Sequence, residues 1–174
     1  MLAYLFIALA VAFRFIPHPM AFTPVAAALL FFGARQPMKR AWIPLLLLAG
    51  TDVILTKYVY AYAFTADHVV SWVYYAAVIG FGGFFLRDKA KPLRLVGASL
   101  TASVTFFLAS NLAVWAAYPG MYPKTLGGIW MSYVAGLPFF RNEVAGDLFF
   151  TAVFFAVPVA LHALGHAKEQ TGTA

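Results

Sequence analysis

The sequence predicts an all-α membrane protein, a bundle of six transmembrane helices with both termini cytoplasmic. Three observations predict it. The 174-residue chain is 63% hydrophobic and 10% charged, with a mean hydropathy of +0.83, whereas soluble domains are roughly half apolar. Apolar segments at 1–16, 21–34, 41–58, 69–86, 94–117 and 144–165 alternate with polar connectors, and about 20 residues suffice to cross a bilayer. The charges also sort by side. Arg35, Lys39 and Arg40 form one basic connector, and Arg87, Lys89, Lys91 and Arg94 with Asp88 form another. With Lys168 and Glu169 of the tail they carry the whole net charge of +6. Arg14, Lys57, Lys124 and Arg141 balance Asp52, Asp67, Glu143 and Asp147 on the opposite side. Basic connectors stay in the cytoplasm.

Segments 1–16 and 21–34 are short for spans. Ala8-Leu-Ala10 resembles a signal-peptide cleavage site, but no basic stretch precedes the apolar core, so segment 1–16 reads as a retained span. Residues 1–166 form a single transmembrane domain, and 167–174 a short disordered cytoplasmic tail. Residues 118–147 read as a long outer connector, in whose tail Pro138 ends what precedes and Asn142 caps the sixth helix.

The absence of cysteine removes disulfides, thiolate metal sites and thiol nucleophiles. The surplus positive charge serves topology and anionic lipid headgroups, so no nucleic acid is needed to explain it. His162 and His166 are spaced i, i+4 without the glutamate of a metalloprotease motif. No phosphate loop or nucleophile motif is present, so neither an enzyme nor a cofactor is expected. The metal expectation is likewise none, His18 being the one candidate.

The stretch RFIPHPMAFTP, Arg14 to Pro24, forbids a continuous helix between the first two segments. Irregular backbone at membrane depth is tolerated where protein buries it or water reaches it, so this stretch predicts the wall of an outward cavity. His18 and Thr23 offer hydrogen bonds there, and Phe22 offers an aromatic face. Asp52 and Thr56 share a face of the third helix. Ser99, Ser103 and Ser110 make a polar stripe leading to Asn111, with Trp115 one turn on. Asp147, inside the last apolar segment, needs a partner, and Arg14 is the expected one. Trp72, Trp130 and Tyr133 suit an interfacial belt.

Arg14, Pro17-His18-Pro19, Phe22-Thr23-Pro24, Asp52, Asn111, Trp115, Tyr122-Pro123, Asn142 and Asp147 together resemble an uncharacterised family of small bacterial membrane proteins, over nearly the whole chain. In that pattern an asparagine usually precedes Phe-Thr-Pro; here Ala21 stands in its place. The six-span layout also resembles the substrate-binding S components of energy-coupling-factor vitamin transporters. That likeness implies a multi-pass protein of the inner membrane, with a vitamin- or cofactor-like ligand held by the outer connectors. The ligand-binding set would be Arg14, His18, Phe22, Thr23, Asp52, Asn111, Trp115, Tyr122, Asn142 and Asp147. It further implies docking of a coupling-factor transmembrane subunit through Ala8 and Ala12. A membrane structural or assembly protein, and an enzyme moving protons with Asp52, His18 or Asp147, are the alternatives.

Overall fold

The structure, a computed structural model, describes residues 1–61, 63–65, 67–87, 90–118 and 120–171. Among these the chain is helical and has no strand. Its elements are α1 (Leu2–Phe13), α2 (Val25–Arg35), α3 (Trp42–Ile54), α4 (Asp67–Phe85), α5 (Pro92–Ala117) and α6 (Leu126–Thr171). A 3-10 turn at Met38–Arg40 leads into α3, which closes in a π-helical turn at Leu55–Val59. Met38–Val59, His68–Phe85, Pro92–Ala117 and Leu126–His166 are long and apolar enough to cross a membrane. The chain is a multi-pass membrane protein.

Helices α1 and α2 have 12 and 11 residues. At about 1.5 Å per residue each reaches less than 20 Å, short of a hydrocarbon core about 30 Å thick. Prolines set these limits. Pro17, Pro19 and Pro24 keep the chain between the two helices out of helical geometry, and Gln36, before Pro37, is extended at φ −120° and ψ 150°.

The core forms around α2, whose residues from Ala26 to Ala34 are all buried, packed against α1, α4, α5 and α6. Glycines bring α2 and α4 together. A Cβ on Gly33 would lie 2.0 Å from the Ile79 carbonyl oxygen, and one on Gly82 would lie 2.4 Å from that of Leu30. Such contact between backbones is how helices associate where lipid weakens any hydrophobic drive. Around it Phe6 stacks on Phe154 at 4.1 Å, and Phe31 meets Phe6 and Phe155 edge-on.

The 118–147 region departs from the sequence reading. Helix α6 runs without interruption for 46 residues, with Pro138 and Pro158 inside it. The link from α5 shrinks to residues 118–125, and Asn142 lies within a helix instead of capping one. An interior proline costs about 3 kcal/mol in an isolated helix, but neighbouring helices in a bundle re-satisfy the backbone it frees. Helix α6 packs antiparallel along α5, with hydrogen bonds to it on both sides of Pro138. Tyr133 Oη donates to the Leu108 carbonyl at 3.0 Å, Ser132 Oγ approaches that of Asn111 at 3.3 Å, and Ser103 Oγ donates to Asp147 at 2.7 Å.

The two ends of the bundle differ in character. At one end Arg87 Nη2 donates to the Gln36 carbonyl at 3.2 Å and Arg40 approaches Tyr4 Oη at 3.4 Å, so both basic connectors and the start of α1 gather there. The RFIPHPMAFTP turn occupies the other end.

Candidate functional site

Arg14 follows the last residue of α1, still in helical φ/ψ, and its side chain reaches across to α3. It is ion-paired with Asp52, and its Nη1 donates to Thr51 Oγ1 at 2.7 Å and to the Leu48 carbonyl at 3.2 Å. The other oxygen of Asp52 accepts the indole N–H of Trp72 at 2.9 Å, and Tyr75 lies against both members of the pair. Asp52 is buried, so the charge of each partner is compensated where water is scarce. The sequence reading pairs Arg14 with Asp147, and the geometry is different: α3 places its carboxylate next to the end of α1, while Asp147 faces α5 and accepts from Ser103.

Three cavities share Arg14 in their walls. The largest, about 640 Å³, is bounded by the turn itself, with Phe15, Pro17, His18 and Met20, and by Leu55, Tyr60 and Phe139. A second, of about 140 Å³, joins His18 and Thr23 to Asp52, Thr56 and Tyr60. A third, about 200 Å³, runs inward past Thr23, Tyr74, Tyr75 and Phe106 to Glu143 and Asp147. Larger or comparable grooves lie between α4 and α5, about 500 Å³, and along α5 and α6, about 730 Å³. Their walls are almost wholly apolar, and they lack the convergent polar groups that orient a small molecule.

His18 is half-buried, with Nδ1 2.6 Å from the Ile16 carbonyl oxygen and its ring 5.0 Å from Phe13. Phe22 packs on Phe149 and Phe150 beneath the turn. Asn142 reaches out of α6 to donate to the Met20 carbonyl at 3.1 Å, fastening the turn from outside. Arg14, His18, Thr23, Asp52 and Asp147 are thus brought around connected cavities.

Asn111, Trp115 and Tyr122 stand apart from those walls, in the α5–α6 hairpin. The Asn111 amide donates to the Phe107 carbonyl at 2.8 Å and sits against Gly136, where any Cβ would lie 2.5 Å from its oxygen. Trp115 donates to the Pro123 carbonyl at 2.9 Å under the ammonium of Lys124, 4.9 Å from the ring centroid. Tyr122 belongs to the link between the helices. Exposed His162 and His166 have their Nε2 atoms 3.2 Å apart. Among the described residues no group of three or more His, Cys, Asp or Glu could hold a metal.

Tyr74, Tyr75, Thr56 and Glu143 line these cavities without standing out in the sequence as ligand residues. Trp72 reads there as a belt aromatic, yet its indole serves Asp52. The one signal is spacing: Trp72 and Tyr75 are three apart, on the face of α4 that meets the buried carboxylate. Glu143 reads as a charge near a helix start, because the sequence places a helix boundary where α6 continues.

No curated protein and no solved structure matches the chain. A family model does, over residues 1–168, and the chain therefore belongs to the family of unknown function DUF6580.

Proposed function

We propose that the protein is a six-span bundle of the S-component type, with both termini cytoplasmic, that holds a small vitamin- or cofactor-like molecule in an outward-facing pocket. It acts as a transporter subunit or as a solitary transporter. The observation that carries this reading is the cavity of about 640 Å³ walled by the RFIPHPMAFTP turn. Its size suits a small ligand, and its lining combines apolar and aromatic surface with the few polar groups such sites use, Arg14, His18 and Tyr60. Prolines stiffen the wall, which lowers the ordering cost of binding. Ala8 and Ala12 are exposed one turn apart on α1, open to a coupling subunit.

The test is native mass spectrometry of small molecules that co-purify with the protein in mild detergent. His18→Ala and Tyr60→Phe, which both change the wall of this cavity, are expected to lose the bound molecule while melting stays close to wild type. Full retention in both variants would exclude this pocket.

A second reading, a membrane assembly protein, draws on the Arg14 network, whose bonds tie α1, α3 and α4 together. It expects no co-purified ligand and no effect of the His18 and Tyr60 changes.

A further inference from the structure

The seam between α5 and α6 holds polar groups that packing alone leaves unsatisfied. Its antiparallel register is fixed by Asn111 against Gly136, Phe107 facing Phe140 at 4.6 Å, and Ser103 donating to Asp147 at 2.7 Å. One helical turn further along each helix, Ser99 and Thr151 therefore stand at the same level. Their side chains are 0% and 2% exposed, and neither hydroxyl oxygen has a hydrogen-bond partner. Helical serine and threonine often donate back to the carbonyl four residues earlier. Thr101 and Thr105 make that bond here, at 2.8 and 2.7 Å, while Ser103 gives its one proton to Asp147. Ser99 and Thr151 do neither.

Between these hydroxyls and the outer cavity stands Asp147, 3% exposed. Its hydrogen bond is the one from Ser103, and among the described residues no cation pairs with it. The groups facing it are Glu143 of its own helix and Tyr74, Tyr75 and Arg14 across the cavity. Arg14 is committed to Asp52 of α3, and α2 and α5 bring no charged side chain to this level. Carboxylates inside a membrane domain face the bundle interior and mark ion pathways.

We propose that the Asp147 carboxylate and the hydroxyls of Ser103, Ser99 and Thr151 form a site for one monovalent metal cation, sodium in class. The donors are all hard oxygens, which suit such ions and not soft metals. A single buried carboxylate balances a single positive charge. A divalent ion would call for the acidic cluster that is absent among the described residues. Glu143, one turn outward on the same face of α6, lines with Asp147 the cavity of about 200 Å³ that opens toward Arg14. It marks the entry. The site stands whatever the proposed pocket binds.

The test uses the full chain in detergent with no organic ligand, so it is separate from the search for a co-purified molecule. Sodium chloride is titrated against choline chloride at constant ionic strength while melting is followed. Sodium is expected to raise the melting temperature saturably, and choline to leave it unchanged. Asp147→Asn should abolish the response. Ser99→Ala and Thr151→Val should fold in choline and raise the half-saturating sodium concentration roughly tenfold each. Equal effects of the two salts, or a wild-type sodium response in the Ser99→Ala/Thr151→Val double variant, would overturn the site. Should Asp147→Asn fail to fold, the hydroxyl variants decide.

Discussion

Arg14 at the end of α1 is ion-paired with Asp52 of α3, and the same carboxylate holds the Trp72 indole of α4. Three helices thus meet at one buried charge, and removing either charge strands the other. The two side chains are 15% and 9% exposed, so the cost should fall near the low end of the range for a buried pair, about 3 kcal/mol. We expect Arg14→Gln and Asp52→Asn each to lower detergent stability by that amount, and the double variant to lose little more. A double-mutant cycle of Arg14 with Asp147 should give coupling of less than about 0.5 kcal/mol. Strong coupling to Asp147 and none to Asp52 would contradict the pairing.

The α2–α4 contact depends on the absence of two side chains. A methyl on Gly33 or Gly82 would meet a carbonyl oxygen of the facing helix at 2.0 or 2.4 Å. Gly33→Ala and Gly82→Ala should each cost about 3 kcal/mol or more, since backbone must move to admit the group. Gly50 in α3 is different, because a methyl placed there would meet nothing within 4 Å. Gly50→Ala should therefore stabilise by about 0.5–1 kcal/mol through helix propensity. Thermal melting of the three variants checks the contrast.

Orientation follows from where the basic residues gather. Arg87 reaches Gln36, and Arg40 reaches Tyr4, so connectors 35–40 and 87–94 share one end with the start of α1; Asp88 and Lys89 lie outside the described residues. Reporter fusions at Lys39 and Lys91 should mark the cytoplasm, and a fusion at Met121 the outside. An external signal from Lys91 would invert the bundle and move the turn cavity to the inner face.

Hydropathy suffices to locate the helices because lipid-facing and core-facing positions are both apolar. It does not bound them. Segments 1–16 and 21–34 look like spans, yet α1 stops at Phe13 and α2 begins at Val25, since proline geometry acts over several residues on each side. Pro138 misleads in the other direction: its effect on a helix depends on the neighbour, and α5 is invisible in local sequence. The candidate site is legible where residue type is unusual for its surroundings, as with Arg14, His18 and Asp52. Asn111 and Trp115 are unusual too, but they serve the hairpin, a distinction that only the packing against Gly136 and Pro123 reveals. Tyr74 and Tyr75 are ordinary residues for a membrane helix, and their place beside the cavity comes from tertiary packing alone.

Within the turn, Ala21 adopts φ +64°. An L-residue in the left-handed region brings its Cβ against the following carbonyl, at roughly 1–2 kcal/mol, whereas glycine is unstrained there and asparagine is tolerated. The conformation persists because both flanks are held. Phe22 N–H donates to the Pro19 carbonyl at 3.0 Å, and Asn142 holds Met20 at 3.1 Å. Ala21→Gly and Ala21→Asn should therefore each raise stability by about 1 kcal/mol, glycine gaining less than the full strain because it also loosens the unfolded chain. Asn142→Ala, which frees Met20, should reduce that gain when combined with either. Melting curves decide it: if both Ala21 variants melt below wild type, the turn is not strained at Ala21, and its shape is set by the prolines alone.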